Sequence, residues 1–152
     1  MSLVDAAAYS IHLLFAGLWT GTVLFVAWGI LPLGLNGDIR PDPLGFAVSR
    51  LTTVSRVSAL VLLLSGGHMA GTTYTVESLF GSQRGHLVLA MVALWFVLAA
   101  LVETGAARMR RGLDAEKVRT PAHDGKPFLY AASVVALLLL LDAGLLASGV
   151  TF

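Results

Sequence analysis

Apolar residues in this chain gather into four long blocks separated by short polar stretches. Residues 6–37 hold no Asp, Glu, Lys or Arg, residues 57–76 form the second block, and residues 85–102 the third, which continues past Glu103. Residues 127–152 make the fourth, interrupted by charge only at Asp142. Each block approaches or exceeds the roughly 20 apolar residues that a helix needs to cross a bilayer. The pattern therefore predicts spans at about residues 7–33, 52–74, 86–109 and 128–150. Between them, "NGDIRPDP" brings Gly, Asn and two prolines that are expected to break a helix. "VESLFGSQRG" reads as a brief turn, and "RMRRGLDAEKVRTPAHDGKP" as a charged loop ending at Pro127. The expectation is one domain over residues 1–152: an all-α integral membrane protein built as a four-transmembrane-helix bundle, with no soluble module.

Composition agrees with that class. Hydrophobic residues make up 57% of the chain and charged residues only 12%, about half the charge of an average soluble protein, and the mean hydropathy is +0.82. With no cysteine, disulfide frameworks, zinc knuckles and thiolate nucleophiles are excluded. A formal charge of +1 points to the lipid bilayer as partner and not to nucleic acid. The first charge is Asp5, so no basic n-region of a cleavable signal peptide is evident.

The ten basic residues set the orientation. Arg40, Arg50 and Arg56 fall between or at the feet of spans one and two, and Arg108, Arg110, Arg111, Lys117, Arg119 and Lys126 fall between spans three and four, leaving only Arg84 on the other side. Short loops retain Lys and Arg on the cytoplasmic face, so both termini and the 73–85 loop are expected outside, in a multi-pass protein of the cytoplasmic membrane.

That topology gathers candidate chemistry in one outer layer. His12 and His68 each lie about one turn inside their spans, His86 sits at the mouth of span three, and Asp142 lies deeper in the outer half of span four. His123 falls in the cytoplasmic loop. Ser58, Ser65, His68 and Thr72 share one stripe of span two, which is costly against lipid and is expected to face the bundle. His12 shares a face with Ala16 and Trp19. Gly17 with Gly21 and Gly67 with Gly71 form small-xxx-small pairs suited to close helix approach, or to leaving room for a flat ligand.

Each feature also has a plainer role. A histidine near a helix end is often satisfied by water, Asp142 could serve as a helix–helix hydrogen bond, and Glu103 is expected to pair with Arg56 or Arg108. Met69 and Met91 serve more often in packing than as soft ligands. Met69 lies about 100° around the helix from His68, which separates the two as ligands of one ion. No nucleophile or general-base constellation exists beyond the histidines, so an enzyme activity would rest on a cofactor.

"IHLLFAGLWTGTVLF" followed by "ILP" in residues 11–32, "SRVSALVLLLSGG" in 55–67 and "SLFGSQRGHLVLAM" in 78–91 resemble the first helix, second helix and third-helix entry of the CopD copper-resistance membrane domain. The similarity covers about residues 8–110. Met91 stands where that family tends to place a lysine. The HemJ-type four-helix protoporphyrinogen oxidases are a more distant resemblance, and the missing lysine counts against their activity here. The CopD resemblance implies copper handling at the membrane, as a permease or accessory factor. Imidazoles suit copper, so the expected site is His12 and His68, assisted by His86 and Asp142, with Met69 and Met91 as soft ligands. A soluble copper carrier on the outer face and a homo-oligomer joined through the Gly pairs are possible partners. Two alternatives stand beside it: a b-type haem protein with His12 and His68 as axial ligands, and a non-catalytic membrane scaffold subunit.

Overall fold

The computed structural model describes residues 2–149, and among these there is no strand. Four helices are long and apolar enough to cross a membrane: α1 (Leu3–Asn36), α2 (Pro41–Thr73), α4 (Gln83–Leu113) and α5 (Arg119–Ser148). A short helix, α3 (Val76–Gly81), fills what the sequence presented as a simple turn. Both described ends of the chain and α3 lie at one end of the bundle, hereafter the terminal end. The 37–40 and 114–118 connections lie at the other, basic end.

The helices outlast the apolar blocks, and the reason is local. Ser2 caps α1 through a capping box with Asp5. Near the far end, Pro32 offers no N–H and its ring crowds the carbonyl four residues back. The helix widens there into a π turn at Val26–Ile30, with Leu31 N–H donating to the Val26 carbonyl, and ends at Gly37 with φ of 81°. Pro41 starts α2 instead of breaking it, because a proline in the first helical turn gives up only an N–H that has no intrahelical acceptor. α2 thus begins at Pro41 and not near residue 52. The basic loop contracts to residues 114–118, α5 begins at Arg119, and Pro127 lies inside the helix. His123 is correspondingly a helical, exposed residue of α5 and not a loop residue. The expected end of the fourth span at residue 150 lies outside the described residues.

α1 packs on α2 and α5, and α4 packs on the same two, closing a ring of four. Leu31, Leu44, Leu51, Leu98, Met109 and Leu129 are fully buried between them. Close approach occurs at other glycines than expected. A Cβ on Gly105 would stand 3.0 Å from the Phe128 Cβ, and one on Gly112 would stand 2.8 Å from the Pro121 Cβ, so these two seat α5 against α4. A Cβ on Gly17, Gly21, Gly67 or Gly71 would meet nothing within 4 Å, so neither small-xxx-small pair is a packing seam of this bundle. The spacing was right for such a seam, but the rotation of α1 and α2 turns those positions away from a neighbour.

Candidate functional site

The terminal end holds a polar ladder between α1 and α2. Asp5, His12 and Trp19 recur at intervals of seven on α1, and Ser58 and Ser65 do so on α2, which places each set on one helix face. Because the two helices run antiparallel, the sets face each other, and His68, three residues beyond Ser65, joins them at the rim. His68 Nε2 lies 3.1 Å from Asp5 Oδ1 at the exposed rim. One level deeper, His12 Nδ1 lies 2.8 Å from Ser65 Oγ, and the His12 ring closes on Gly66, where a Cβ would come within 3.0 Å of Cε1.

The hydrogen bonds define the His12 tautomer. Ser65 has one hydroxyl hydrogen and donates it to the Val61 carbonyl at 2.7 Å, so its oxygen accepts from His12 Nδ1–H. The lone pair of His12 then resides on Nε2. At the rim, Nε2–H of His68 faces the Asp5 carboxylate and leaves Nδ1 open. In metal sites, histidines are commonly held in this way, one ring nitrogen bound by a polar partner and the other presented to the ion.

The remaining candidates stand apart from these rungs. His86 Nε2 is 2.8 Å from the Phe80 carbonyl, so its ring closes the corner between α3 and α4; Gly85 packs directly on the Leu79 backbone and holds that corner tight. Asp142 is buried on α5, with Oδ2 lacking any hydrogen-bond partner. Met69 and Met91 are both half-buried. Among the described residues no group of three or more His, Cys, Asp or Glu is arranged to hold a metal ion, so the expected convergence of three histidines and a carboxylate does not occur. They share one end of the bundle, but each imidazole is taken by a partner of its own.

Two partners were not among the candidates. Asp5 read only as the first charge before an apolar block, and Ser65 only as part of a polar stripe. The signal for both was the interval of seven that ties Asp5 to His12 and Ser58 to Ser65. Toward the basic end, Arg56 and Glu103 form a two-pronged ion pair at 2.7 and 2.9 Å, as expected for one of the two arginines. Arg108 instead lies over the Phe128 ring, 4.8 Å from its centroid.

The family model described as CopD, Copper resistance protein D, matches residues 46–148, more than half of the chain. The matched segment contains His68, Met69, His86, Met91 and Asp142, and extends through α5. It begins inside α2, so the first-helix motif and His12 lie outside it. No curated protein and no solved structure matches the chain.

Proposed function

We propose that this chain, which belongs to the copper resistance protein D family, binds copper ions as cargo through an imidazole file between α1 and α2. The protein is a multi-pass membrane protein. The observation that carries the reading is the pair of rungs, Asp5 with His68 and His12 with Ser65. Each rung engages one ring nitrogen and leaves the other for a ligand, and imidazole nitrogen is a good donor to copper. His68 receives the ion at the rim and His12 takes it one level deeper. His86, held at the α3–α4 corner, lies beside the entrance and assists only if that corner opens.

Orientation follows from charge. α2 is 33 residues long, about 50 Å at 1.5 Å per residue, against roughly 30 Å of hydrocarbon. The surplus, about 13 residues if taken at the basic end, carries Arg50 and ends just short of Arg56. Basic residues favour the cytoplasmic side, which turns the histidine file outward in a cytoplasmic membrane. The haem alternative requires ring-sized space between α1 and α2, where the Gly66 contact and the Ser65 bond already hold the His12 ring.

The reading is tested with detergent-purified protein by measuring copper and iron content, the visible spectrum before and after dithionite, and binding of Ag⁺ as a redox-inert stand-in for Cu⁺. Bound copper or Ag⁺, lost on combined His12→Ala and His68→Ala substitution, is the expected result. A Soret band with iron would replace it with the haem protein. Protein that binds neither metal nor haem, and whose histidines tolerate alanine, is a scaffold subunit.

A further inference from the structure

Below the His12 rung, two deeply buried polar groups have no partner. Asp142 is 7% exposed with Oδ2 unbonded, and Trp19 is 1% exposed with its indole N–H unbonded. Register sets them at a similar level of the bundle but on different faces, since Asp142, nine residues from Ser133, lies about half a turn around α5 from the side that meets α1. α1 and α5 are antiparallel, and two contacts fix their alignment: Gly34, where an added Cβ would stand 3.1 Å from the Ala122 Cβ, and Trp28, whose Nε1 donates to Ser133 Oγ at 3.1 Å. Counting equal steps from these pairs sets Asp142 level with residues 14 to 19 of α1, between His12 and Trp19. The indole of Trp19 leans back toward the start of α1, as helical side chains do, and so toward this level.

The fourth helix adds a soft ligand. Gly112 meets Pro121 and Gly105 meets Phe128, and each pair is one interval of seven from the next. Two further intervals along both helices bring Leu98 opposite Val135 and Met91 opposite Asp142. Leu98 is buried in the core and Val135, half-buried, packs against it, so this face of α4 looks inward down to the level of Leu98.

Charge identifies the occupant. Among the described residues Asp142 forms no ion pair. Arg84, seven residues before Met91, donates to the Leu146 carbonyl at the rim. A carboxyl group buried in a membrane bundle stays ionised only beside a counter-charge, which a bound cation would supply and a water molecule would not. A thioether opposite it favours a soft ion over a hard one.

We propose that Asp142 and Met91 form a second station for a soft monovalent cation, between α4 and α5 and apart from the histidine file. This rests on the copper reading and adds to the histidine file between α1 and α2 a second, buried station between α4 and α5.

The test is the stoichiometry of Ag⁺ bound to purified full-length protein, by equilibrium dialysis and elemental analysis, in wild type, His12→Ala/His68→Ala, Asp142→Asn and Met91→Leu. The expected result is that Asp142→Asn loses one class of bound ion and keeps the histidine class, that the histidine variant shows the reverse, and that Met91→Leu weakens the Asp142 class. Thermal unfolding of metal-free Asp142→Asn should stay close to wild type, since the substitution keeps the size of a side chain that has no hydrogen-bond partner at Oδ2; a stability loss accompanied by intact Ag⁺ stoichiometry would make Asp142 structural and overturn the proposal. Unchanged stoichiometry in both Asp142→Asn and Met91→Leu overturns the second station while leaving the histidine file standing. Wild-type protein that binds no Ag⁺ overturns both.

Discussion

His12 Nδ1 and Ser65 Oγ are 2.8 Å apart across the α1–α2 interface, and because Ser65 gives its only hydrogen to the Val61 carbonyl, the histidine must be the donor. A hydroxyl on one helix thereby sets which nitrogen of an imidazole on another is free. Partners of this kind are worth about 10- to 100-fold in metal affinity. Ser65→Ala should weaken Ag⁺ binding at the histidine file by about that factor, and Ser65→Thr, which keeps the hydroxyl, should restore most of it. A competition titration against a chelator of known affinity measures both.

Asp5 has two roles, and they separate by mutation. Its backbone N–H and carboxylate complete the capping box with Ser2, while its other carboxylate oxygen faces His68. Ser2→Ala should lower stability by about 0.5–2 kcal/mol, the usual cost of a lost N-cap, with Ag⁺ affinity unchanged. Asp5→Asn should retain much of the fold yet weaken the rim site by about tenfold or more. Thermal unfolding in detergent alongside Ag⁺ titration distinguishes the two outcomes.

Glycine substitutions should divide according to what each glycine faces. Gly112→Ala puts a methyl group 2.8 Å from the Pro121 Cβ and should cost about 1–3 kcal/mol, as overpacking does. Gly67→Ala and Gly71→Ala meet nothing within 4 Å and should stay within about 0.5 kcal/mol of wild type. Unfolding of the purified variants gives the comparison. A large loss at Gly67 or Gly71 would instead indicate a second protein surface against that face of α2.

The Arg56–Glu103 pair is two-pronged but well exposed, with side chains 65% and 39% accessible. A double-mutant cycle should return a coupling of about 0.2–1 kcal/mol, and neither single substitution should change Ag⁺ stoichiometry. An effect on metal binding would place this pair on the ion's path.

The sequence by itself determined the number of spans, their order and their charge asymmetry. These follow from local composition: a block of about 20 apolar residues has few stable places other than a bilayer, and loop charge sets orientation whatever the packing. His12 and His68 stood out for the same reason, as ionisable residues within apolar blocks. Helix ends were less legible, because Pro41 and Pro127 act according to their position within a turn, which their presence alone does not give. Only the tertiary structure decided the partners. Whether His12 meets Ser65 or another histidine, whether Gly67 or Gly105 forms a seam, and whether Met91 stands opposite Asp142 all depend on the rotation and register of one helix against another. A shift of one residue moves a side chain about 100° around the helix and 1.5 Å along it, enough to exchange one partner for another while leaving the hydropathy pattern unchanged.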